Sequence, residues 1–598
     1  MARRPAYRRS MSLPQLRRVA VGALGAREAR ARADTVDASG RMLPLHLARR
    51  LDGDTESPSD DDASVGQAAR DARMKDKLNR FFGDDPAHFG TAKRAAALEE
   101  LAITPVGSTQ PGAGRTHSRD DGAPSVMSSR SSGRAILGSV DANANPWYLS
   151  YDATADDMIL TEDGQVKGST LPALIERLVA HDVSDPNFVS TFLLTYHSFC
   201  TTPELFAGMF KRFMIQPPLG LAEDELREWT ERKLKPVRLR VYNLFKTWLE
   251  QHYVEQVAGD PQGLEMLREF ACTTMADYMS NAAEQLVRLI DKRRASQGGL
   301  RRLVPNLPHA APAPILPRSL SRLRLMDINP QELARQFTLI DSNLFNKVRP
   351  IECLKTAWSR KPGDPKAFNG LNTAIAVNVK AMSTLSTQTT LWVTANILLE
   401  HEIKRRAAVI KFFIAFAEHC RALNNFNTLM SVLGALTSVP VERLTRTWQA
   451  VAQKPMAMYN QLRQIMRTDR NFAEYRDSLH SCNPPAIPFV GVYLQDLTFI
   501  EDGNDDMITS RPGLINFAKR QRTAGTVRDL QQFQNVPYNL TPVAEIQDWL
   551  LKRLEELCPN GQSSDRLVEE FWKMSTTLEP KEKDSERVLR LLKESGFL

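Results

Sequence analysis

The sequence of 598 residues is poor in cysteine, and its six cysteines are widely spaced. The nearest two, Cys420 and Cys482, lie 62 positions apart. This spacing excludes a zinc site of clustered cysteines, a redox pair and a disulfide framework, and it favours a reducing, intracellular compartment. No apolar run reaches the roughly 18 residues of a membrane-spanning helix, and arginines interrupt the N-terminus where a signal peptide needs an apolar core. We therefore expect an intracellular protein without a membrane span.

Sequence patterns of covalent chemistry are also lacking. No glycine-rich phosphate loop, zinc-protease helix or nucleophile elbow occurs in the apolar, patterned part of the chain. The histidines of the region 327–580, His401, His419 and His480, are not paired with cysteine, aspartate or another histidine at ligand spacing, so we expect no metal and no cofactor. The aromatic residues lie at helical core spacing rather than among basic residues, which argues against a surface for single-stranded nucleic acid. The sequence therefore predicts a protein that acts through binding and not an enzyme of covalent chemistry.

Acidic residues are scarce at the N-terminus. The formal net charge is +8, and the first fifty residues alone contain twelve arginines and three acidic residues. Because the positive excess lies in this segment, the total charge does not indicate a folded nucleic-acid surface, and we expect no nucleic-acid partner. Two alternatives for the segment stay open. One is salt-sensitive binding of nucleic acid through its arginines, and the other is a mitochondrial transit peptide, which is also rich in arginine.

Composition and periodicity divide the rest of the chain into domains and linkers. Residues 1–145 are rich in arginine and serine and poor in aromatic side chains, so we expect them to be mostly disordered. Helical periodicity predicts two all-α domains, over residues 146–295 and 327–580, the second with a helical repeat from 391 to 420 that charged residues interrupt. A proline- and arginine-rich linker over 296–326 separates them. A short helical tail over 581–598 is expected to follow.

Two segments indicate partners through their charge. Ser12 lies in the run Arg-Ser-Met-Ser-Leu-Pro at 9–14, and its phosphorylated form would fit the pattern bound by 14-3-3-type adaptors. The linker contains no acidic residue between 292 and 326, so its basic side chains are able to contact an anionic membrane surface. The alternative is a semi-rigid spacer whose charges are solvated.

The most informative stretch is 489–504. The prolines that precede it, Pro484, Pro485 and Pro488, interrupt any earlier helix. An apolar stripe then recurs at spacings of three and four, formed by Phe489, Val492, Tyr493 and Leu497. It ends in two acidic residues and a glycine, Glu501, Asp502 and Gly503. Spacing alone fits an ordinary surface helix, but it also fits a helix that delivers carboxylates to a cationic site on a partner.

The neighbouring motifs favour the second interpretation. The chain has Ala-Arg-Gln-Phe-Thr-Leu-Ile at 334–340, Asn-Asn-Phe-Asn at 424–427, Asn-Pro-Pro at 483–485 and Leu-Ile-Asn-Phe-Ala-Lys-Arg at 514–520. In this order, residues 327–580 resemble the catalytic domain of Ras-family guanine-nucleotide exchange factors of the Son of sevenless and yeast cell-division-cycle type. Residues 165–255, with Phe-Leu-Leu-Thr-Tyr-His-Ser-Phe at 192–199, resemble the N-terminal exchanger motif that accompanies it.

The resemblance implies a mechanism for the stretch 489–504. In this family a protruding helical hairpin inserts into a small GTPase and displaces the switch segment over the nucleotide, which promotes GDP release and GTP loading. Thr498 corresponds to the residue that blocks the metal, where Son of sevenless has leucine. Asp502 corresponds to the intruding glutamate, with Glu501 beside it as a substitute. Gly503 and Asn504 correspond to the turn of the hairpin.

The resemblance also implies a docking surface and a location. The GTPase-binding residues that it indicates are Ser383, Thr384, Met430, Thr437, Phe472, Phe489, Tyr493, Leu494 and Asn504. The expected partner is a Ras-family GTPase, GDP-bound or nucleotide-free, and the expected location is the cytoplasm, with recruitment to the membrane that anchors the GTPase. Because Thr498 and Asp502 depart from leucine and glutamate, a catalytically inactive scaffold of the same fold that only binds the GTPase is the alternative function.

Overall fold

A computed structural model of the protein describes residues 146–254, 257, 259–295, 310–360, 376–557 and 565–580. The segment with Ser12 and the expected tail over 581–598 lie outside these ranges. Helices account for most of the described residues, which confirms the predicted all-α class.

The described residues up to 295 form seven α-helices, six of which contribute to one apolar core. The helices are α1 (Leu171–Leu178), α2 (Pro186–Thr195), α3 (Thr202–Phe213), α4 (Glu223–Trp229), α5 (Lys235–Thr247), α6 (Gly259–Phe270) and α7 (Ala276–Ala295). Aromatic rings fill the centre: Phe206 meets Phe245 and Trp248 edge to face, with centroids 5.0 and 4.8 Å apart. Such edge-to-face pairs add to the stabilisation from burial.

Helices also form most of the chain from 310 onward. They are α8 (Pro330–Phe345), α9 (Val377–Leu398), α10 (Ile403–Ala422), α11 (Phe426–Leu436), α12 (Val439–Glu442), α13 (Thr445–Gln449), α14 (Gln453–Ile465), α15 (Asp469–Ser481), α16 (Val490–Gly503), α17 (Phe517–Gln531), α18 (Ala544–Leu557) and α19 (Asp565–Leu578). Local sequence fixes several of their starts. Asn425 caps α11 by accepting the N–H of Thr428 at 3.0 Å, and Asn516 caps α17 by accepting the N–H of Lys519 at 3.1 Å.

The stretch 391–420, for which a helical repeat is predicted, does not form a single helix, because the chain leaves the helix between α9 and α10. The fully buried guanidinium of Arg406 satisfies the backbone at this break. Its Nη1 donates to the carbonyl oxygens of Glu400 at 2.7 Å and His401 at 3.1 Å. The apolar period continues through the break, so periodicity alone does not reveal it.

A small antiparallel sheet, which the sequence analysis did not predict, joins the two helical regions. Its strands are β1 (Met158–Leu160), β2 (Val166–Ser169) and β3 (Ile515–Asn516), in the order β1-β2-β3. In the pairing of β2 with β3, Gly168 lies opposite Asn516 and Ser169 opposite Ile515. Gly168 lets β2 lie close to Ile508, because a Cβ on Gly168 would be 2.5 Å from Cγ1 of Ile508.

Part of the predicted linker rests on the helices that follow it. The N–H of Ile315 donates to Glu332 Oε2 at 2.9 Å, and Nη1 of Arg335 donates to the carbonyl oxygen of Ala313 at 3.1 Å. Arg318 and Arg322, further along the same segment, are exposed. The described end of the linker is therefore attached to α8 and leaves exposed cations beside it.

Candidate functional site

The helices α16 and α17 pack against each other as a hairpin, with a loop over 504–516 between them. The apolar stripe predicted for α16 is confirmed, since Val492, Tyr493 and Leu497 are 1%, 3% and 4% exposed. The acidic end of α16 lies at the far end, next to the loop.

Phe489 begins the hairpin as the N-cap residue of α16. Its N–H donates to the hydroxyl oxygen of the fully buried Tyr475 at 2.8 Å. Burial raises the pKa of Tyr475 well above its usual value, so this hydroxyl stays neutral. The partly exposed ring of Phe489 lies close over Gly491. A Cβ on Gly491 would be only 2.5 Å from Cζ of the ring.

The backbone is strained at the start of α15, the helix that contains Tyr475. Arg470, Asn471 and Phe472 have φ angles of 49°, 55° and 60°, in the left-handed region that disfavours residues with a Cβ. Arg476 stabilises the segment, because its Nε donates to the carbonyl oxygen of Asn471 at 2.9 Å. Its Nη2 also donates to both carboxylate oxygens of Asp496, at 3.0 and 2.8 Å, which ties α15 to α16.

Thr498 and Asp502 lie on the last turns of α16. The Thr498 hydroxyl donates to the carbonyl oxygen of Leu494 at 2.8 Å, so its hydrogen-bonding need is met inside the helix. This leaves the methyl group as what the partly exposed Thr498 offers to a partner. Asp502 is exposed. The tip of the hairpin thus combines a small apolar group with a carboxylate one turn further on.

Glu501 lies in a different environment from its neighbour. Its carboxylate is within 3.3 Å of the Lys355 amine and 3.2 Å of the Lys519 amine, and only 16% of its side chain is exposed. Both lysines and Arg520 also contact Asp506. Burial alone would raise the pKa of Asp506, but hydrogen bonds from Lys355 and Lys519 outweigh it and hold that pKa well below its usual range. Glu501 is therefore part of an internal ion network and does not lie beside Asp502 as a ready substitute.

The structure divides the other expected GTPase-binding residues into two groups. The partly exposed ones are Ser383, Thr384, Met430, Thr437 and Asn504. Phe472, Tyr493 and Leu494 are 4%, 3% and 1% exposed, so they do not form a contact surface in the free protein. Direct contact between these three side chains and a partner would need a rearrangement.

The hairpin also contacts the helices before residue 296. The rings of Phe188 on α2 and Phe517 on α17 are 4.9 Å apart, and Nη2 of Arg528 donates to the Thr191 hydroxyl at 2.6 Å. Together with the pairing of β2 and β3, these contacts hold the second helix of the hairpin from one side.

Sequence reasoning missed Lys355, Tyr475, Arg476 and Asp506. Lys519 and Arg520 were noticed only as part of the motif at 514–520. A tyrosine among apolar residues and an aspartate pair after a helix are common features, so single positions gave no signal. Their roles follow from contacts between residues that are distant in sequence.

The described ranges contain no group of side chains that could hold a metal ion, and no helix in them is long and apolar enough to cross a membrane. The fold and site define a helical protein with a braced hairpin that presents an aromatic ring at one end and an acidic tip at the other.

Comparisons with known proteins identify the family. Residues 332–521 match the family model of the RasGEF domain, and residues 165–270 match that of the RasGEF N-terminal motif. The chain belongs to the family of Ras guanine-nucleotide exchange factors.

Similarity to individual relatives covers most of the chain. It is 33% identical to cell division control protein 25 of Candida albicans over 443 residues, which are 73% of this chain and 32% of that protein. It is 30% identical to Ras guanine nucleotide exchange factor A of Dictyostelium discoideum, over 72% of this chain and 67% of that protein. The protein son of sevenless of Drosophila melanogaster is 28% identical over 70% of this chain and 27% of its own length. The chain thus spans about a third of the Candida relative's length.

Proposed function

We propose that the protein promotes GDP release and GTP loading on a Ras-type small GTPase by inserting the α16–α17 hairpin into the nucleotide site. The observation that carries the proposal is the hairpin itself, with Thr498 and the exposed Asp502 at its tip, in a chain of this family. Exchange breaks no covalent bond of the nucleotide, so the protein is a catalyst of nucleotide release and not an enzyme of covalent chemistry.

The physical basis is competition for the site of the nucleotide. A small GTPase holds its nucleotide largely through Mg²⁺ and phosphate contacts. The Thr498 methyl would occupy the position of the metal, and the Asp502 carboxylate would bind groups that had held the metal or phosphates. The protein then stabilises the nucleotide-free GTPase, and linkage requires that nucleotide weakens its binding by the same factor.

Phe489 would dock the GTPase at the other end of α16. Its aromatic side chain is partly exposed at the start of α16, and its backbone N–H is bonded to the Tyr475 hydroxyl. Met430, Thr437, Ser383 and Thr384 are also partly exposed and would complete the surface. An aromatic anchor surrounded by smaller residues is the usual composition of a strong contact.

The protein would work in the cytoplasm, recruited to the membrane that anchors its GTPase. The exposed Arg318 and Arg322 would favour an anionic surface. Phosphorylated Ser12 would provide a docking sequence for a 14-3-3-type adaptor.

The test is release of fluorescently labelled GDP from a panel of Ras, Rap and Ral proteins with the full chain. We expect release from at least one of them to accelerate in proportion to the concentration of the protein. No acceleration with any member would contradict the proposal. Capture of a GTPase that is insensitive to its nucleotide state would instead support the inactive scaffold.

Gly491→Ala should weaken GTPase binding without destabilising the fold. The new Cβ would lie 2.5 Å from Cζ of Phe489 and push the ring away from its position. Alanine loses less backbone freedom on folding than glycine, and the displaced ring is the end of a partly exposed side chain, so the melting temperature should change little. We expect affinity for the nucleotide-free GTPase to fall on the order of tenfold, or about 1.4 kcal/mol.

Gly525→Ala on α17 is the matched control, because nothing lies within 4 Å of a Cβ placed there. It should leave binding unchanged. Equal binding by both variants would show that the position of the Phe489 ring does not matter for docking.

A further inference from the structure

The ion network beneath the hairpin tip contains three cations and two carboxylates. The side chains of Lys355, Lys519 and Arg520 are 6%, 2% and 2% exposed. Lys519 and Arg520 both approach Asp506 Oδ1 to 2.8 Å, and Lys355 contacts Asp506 through its other oxygen. Glu501 pairs with the two lysines, at 3.3 and 3.2 Å. Four of the five residues belong to the hairpin, and Lys355 is the exception.

Lys355 comes from a loop that is fixed to the body of the domain. Its backbone and that of Thr356 are left-handed, both with a φ of 52°, which is costly for residues with a Cβ. The neighbouring Glu352 anchors the loop to the start of α9, where its Oε2 accepts the N–H groups of Asn378 at 2.8 Å and Val379 at 3.0 Å. Strained conformations of this kind persist where the surroundings determine them and where the side chain has a task.

The network separates two adjacent carboxylates. Glu501 and Asp502 follow each other on α16, so their side chains leave the helix in directions about 100° apart. The lysines bind Glu501 on the inner side, and Asp502 is on the exposed side. Because Lys355 is anchored outside the hairpin, it fixes the rotation of the last turn of α16 relative to the body.

We propose that Lys355 is a positioning residue that withdraws Glu501 into the protein and so leaves Asp502 as the acid presented to the GTPase. This assignment rests on the proposed function. Without Lys355, Glu501 loses one of its two ion pairs, and the last turn of α16 becomes able to present either acid.

The test compares Lys355→Met with Lys347→Met, which removes one positive charge from an exposed side chain in the same part of the chain. Methionine fills the buried space without a charge. Lys355→Met should slow the maximal rate of GDP release roughly three- to tenfold with little change in the GTPase concentration at half-maximal rate, because positioning and not docking is lost. Lys347→Met should match the original protein.

Two variant backgrounds distinguish positioning from a structural role. Asp502→Ala alone should slow exchange strongly. In the Asp502→Ala variant, the additional change Lys355→Met should not slow GDP release further. It should instead restore GDP release several-fold, because Glu501 is released. A third change, Glu501→Gln, should remove that gain. If Lys355→Met slows GDP release by the same factor in the original protein and in the Asp502→Ala variant, Lys355 has only a structural role and the inference is wrong.

A measurement without any GTPase separates this inference from the proposed function. Amide hydrogen exchange in 501–508 should be faster in Lys355→Met and unchanged in Lys347→Met. If that difference appears but the original protein releases no GDP from any GTPase, the proposed function fails while the network stands. If the original protein releases GDP from a GTPase but the amide hydrogen exchange rates do not differ between the two variants, the inference fails and the proposed function stands.

Discussion

Replacing Glu579 by alanine is expected to lower the free energy of unfolding by about 3–5 kcal/mol, the loss seen when one partner of a buried ion pair is removed. Oε1 of Glu579 lies 3.2 Å from Nη2 of Arg406, and the Arg406 side chain is completely buried. The carboxylate also accepts the N–H groups of Arg446 and Thr447 at 2.9 and 3.0 Å, at the start of α13. The variant would leave a buried guanidinium without its counter-charge and a helix start without its acceptor.

Urea unfolding followed by tryptophan fluorescence measures this loss. Glu569→Ala is the control, because it removes a carboxylate on α19 whose pair with Lys573 is solvent-exposed. Exposed pairs contribute about 0–1 kcal/mol, so this variant should unfold close to the original midpoint. Equal midpoints for the two variants would show that the Arg406 network does not stabilise the fold.

Phe489→Ala is expected to weaken binding to the nucleotide-free GTPase by about 2–4 kcal/mol, or roughly 30- to 1000-fold. The substitution removes the aromatic side chain that is proposed to dock the GTPase. It keeps the backbone N–H that donates to Tyr475, so α16 should still begin at the same residue. Binding is measured by titration with GTPase stripped of nucleotide, and the melting temperature reports the fold.

Trp572→Ala is the matched control, since it removes an aromatic side chain that is 46% exposed on α19. It should leave affinity unchanged. Full-strength binding by Phe489→Ala would place the docking surface elsewhere on the molecule.

The fold was predictable where local sequence determines it. The stripe on α16 and the helices before residue 296 follow from spacing, and the structure confirms them. The break between α9 and α10 was not predictable in the same way, because it depends on Arg406 and on Glu579, which is 173 positions further along the chain. The sheet was missed because its strands have two to four residues, too few for an alternating pattern to be recognised.

The candidate site likewise has a part that the motifs predict and a part that depends on contacts between distant residues. The motifs indicate Phe489, Thr498 and Asp502, and their side chains are at least partly exposed. The different environments of Glu501 and Asp502 were not predictable, because they are set by Lys355, which is 146 positions away from Glu501. The burial of Phe472 depends on three left-handed residues, a conformation that its sequence does not signal.

The shared sheet has a practical consequence for how the protein can be divided. If the helices from 310 onward were produced alone, β3 would lose its pairing with β2 and expose the backbone groups that made it. Phe517, which is now fully buried next to Phe188, would become accessible to solvent beside that edge. An apolar side chain next to an unpaired strand invites pairing between molecules. The isolated fragment would therefore be prone to self-association, and residues 146–295 serve the hairpin as a solubilising cover as well as a brace.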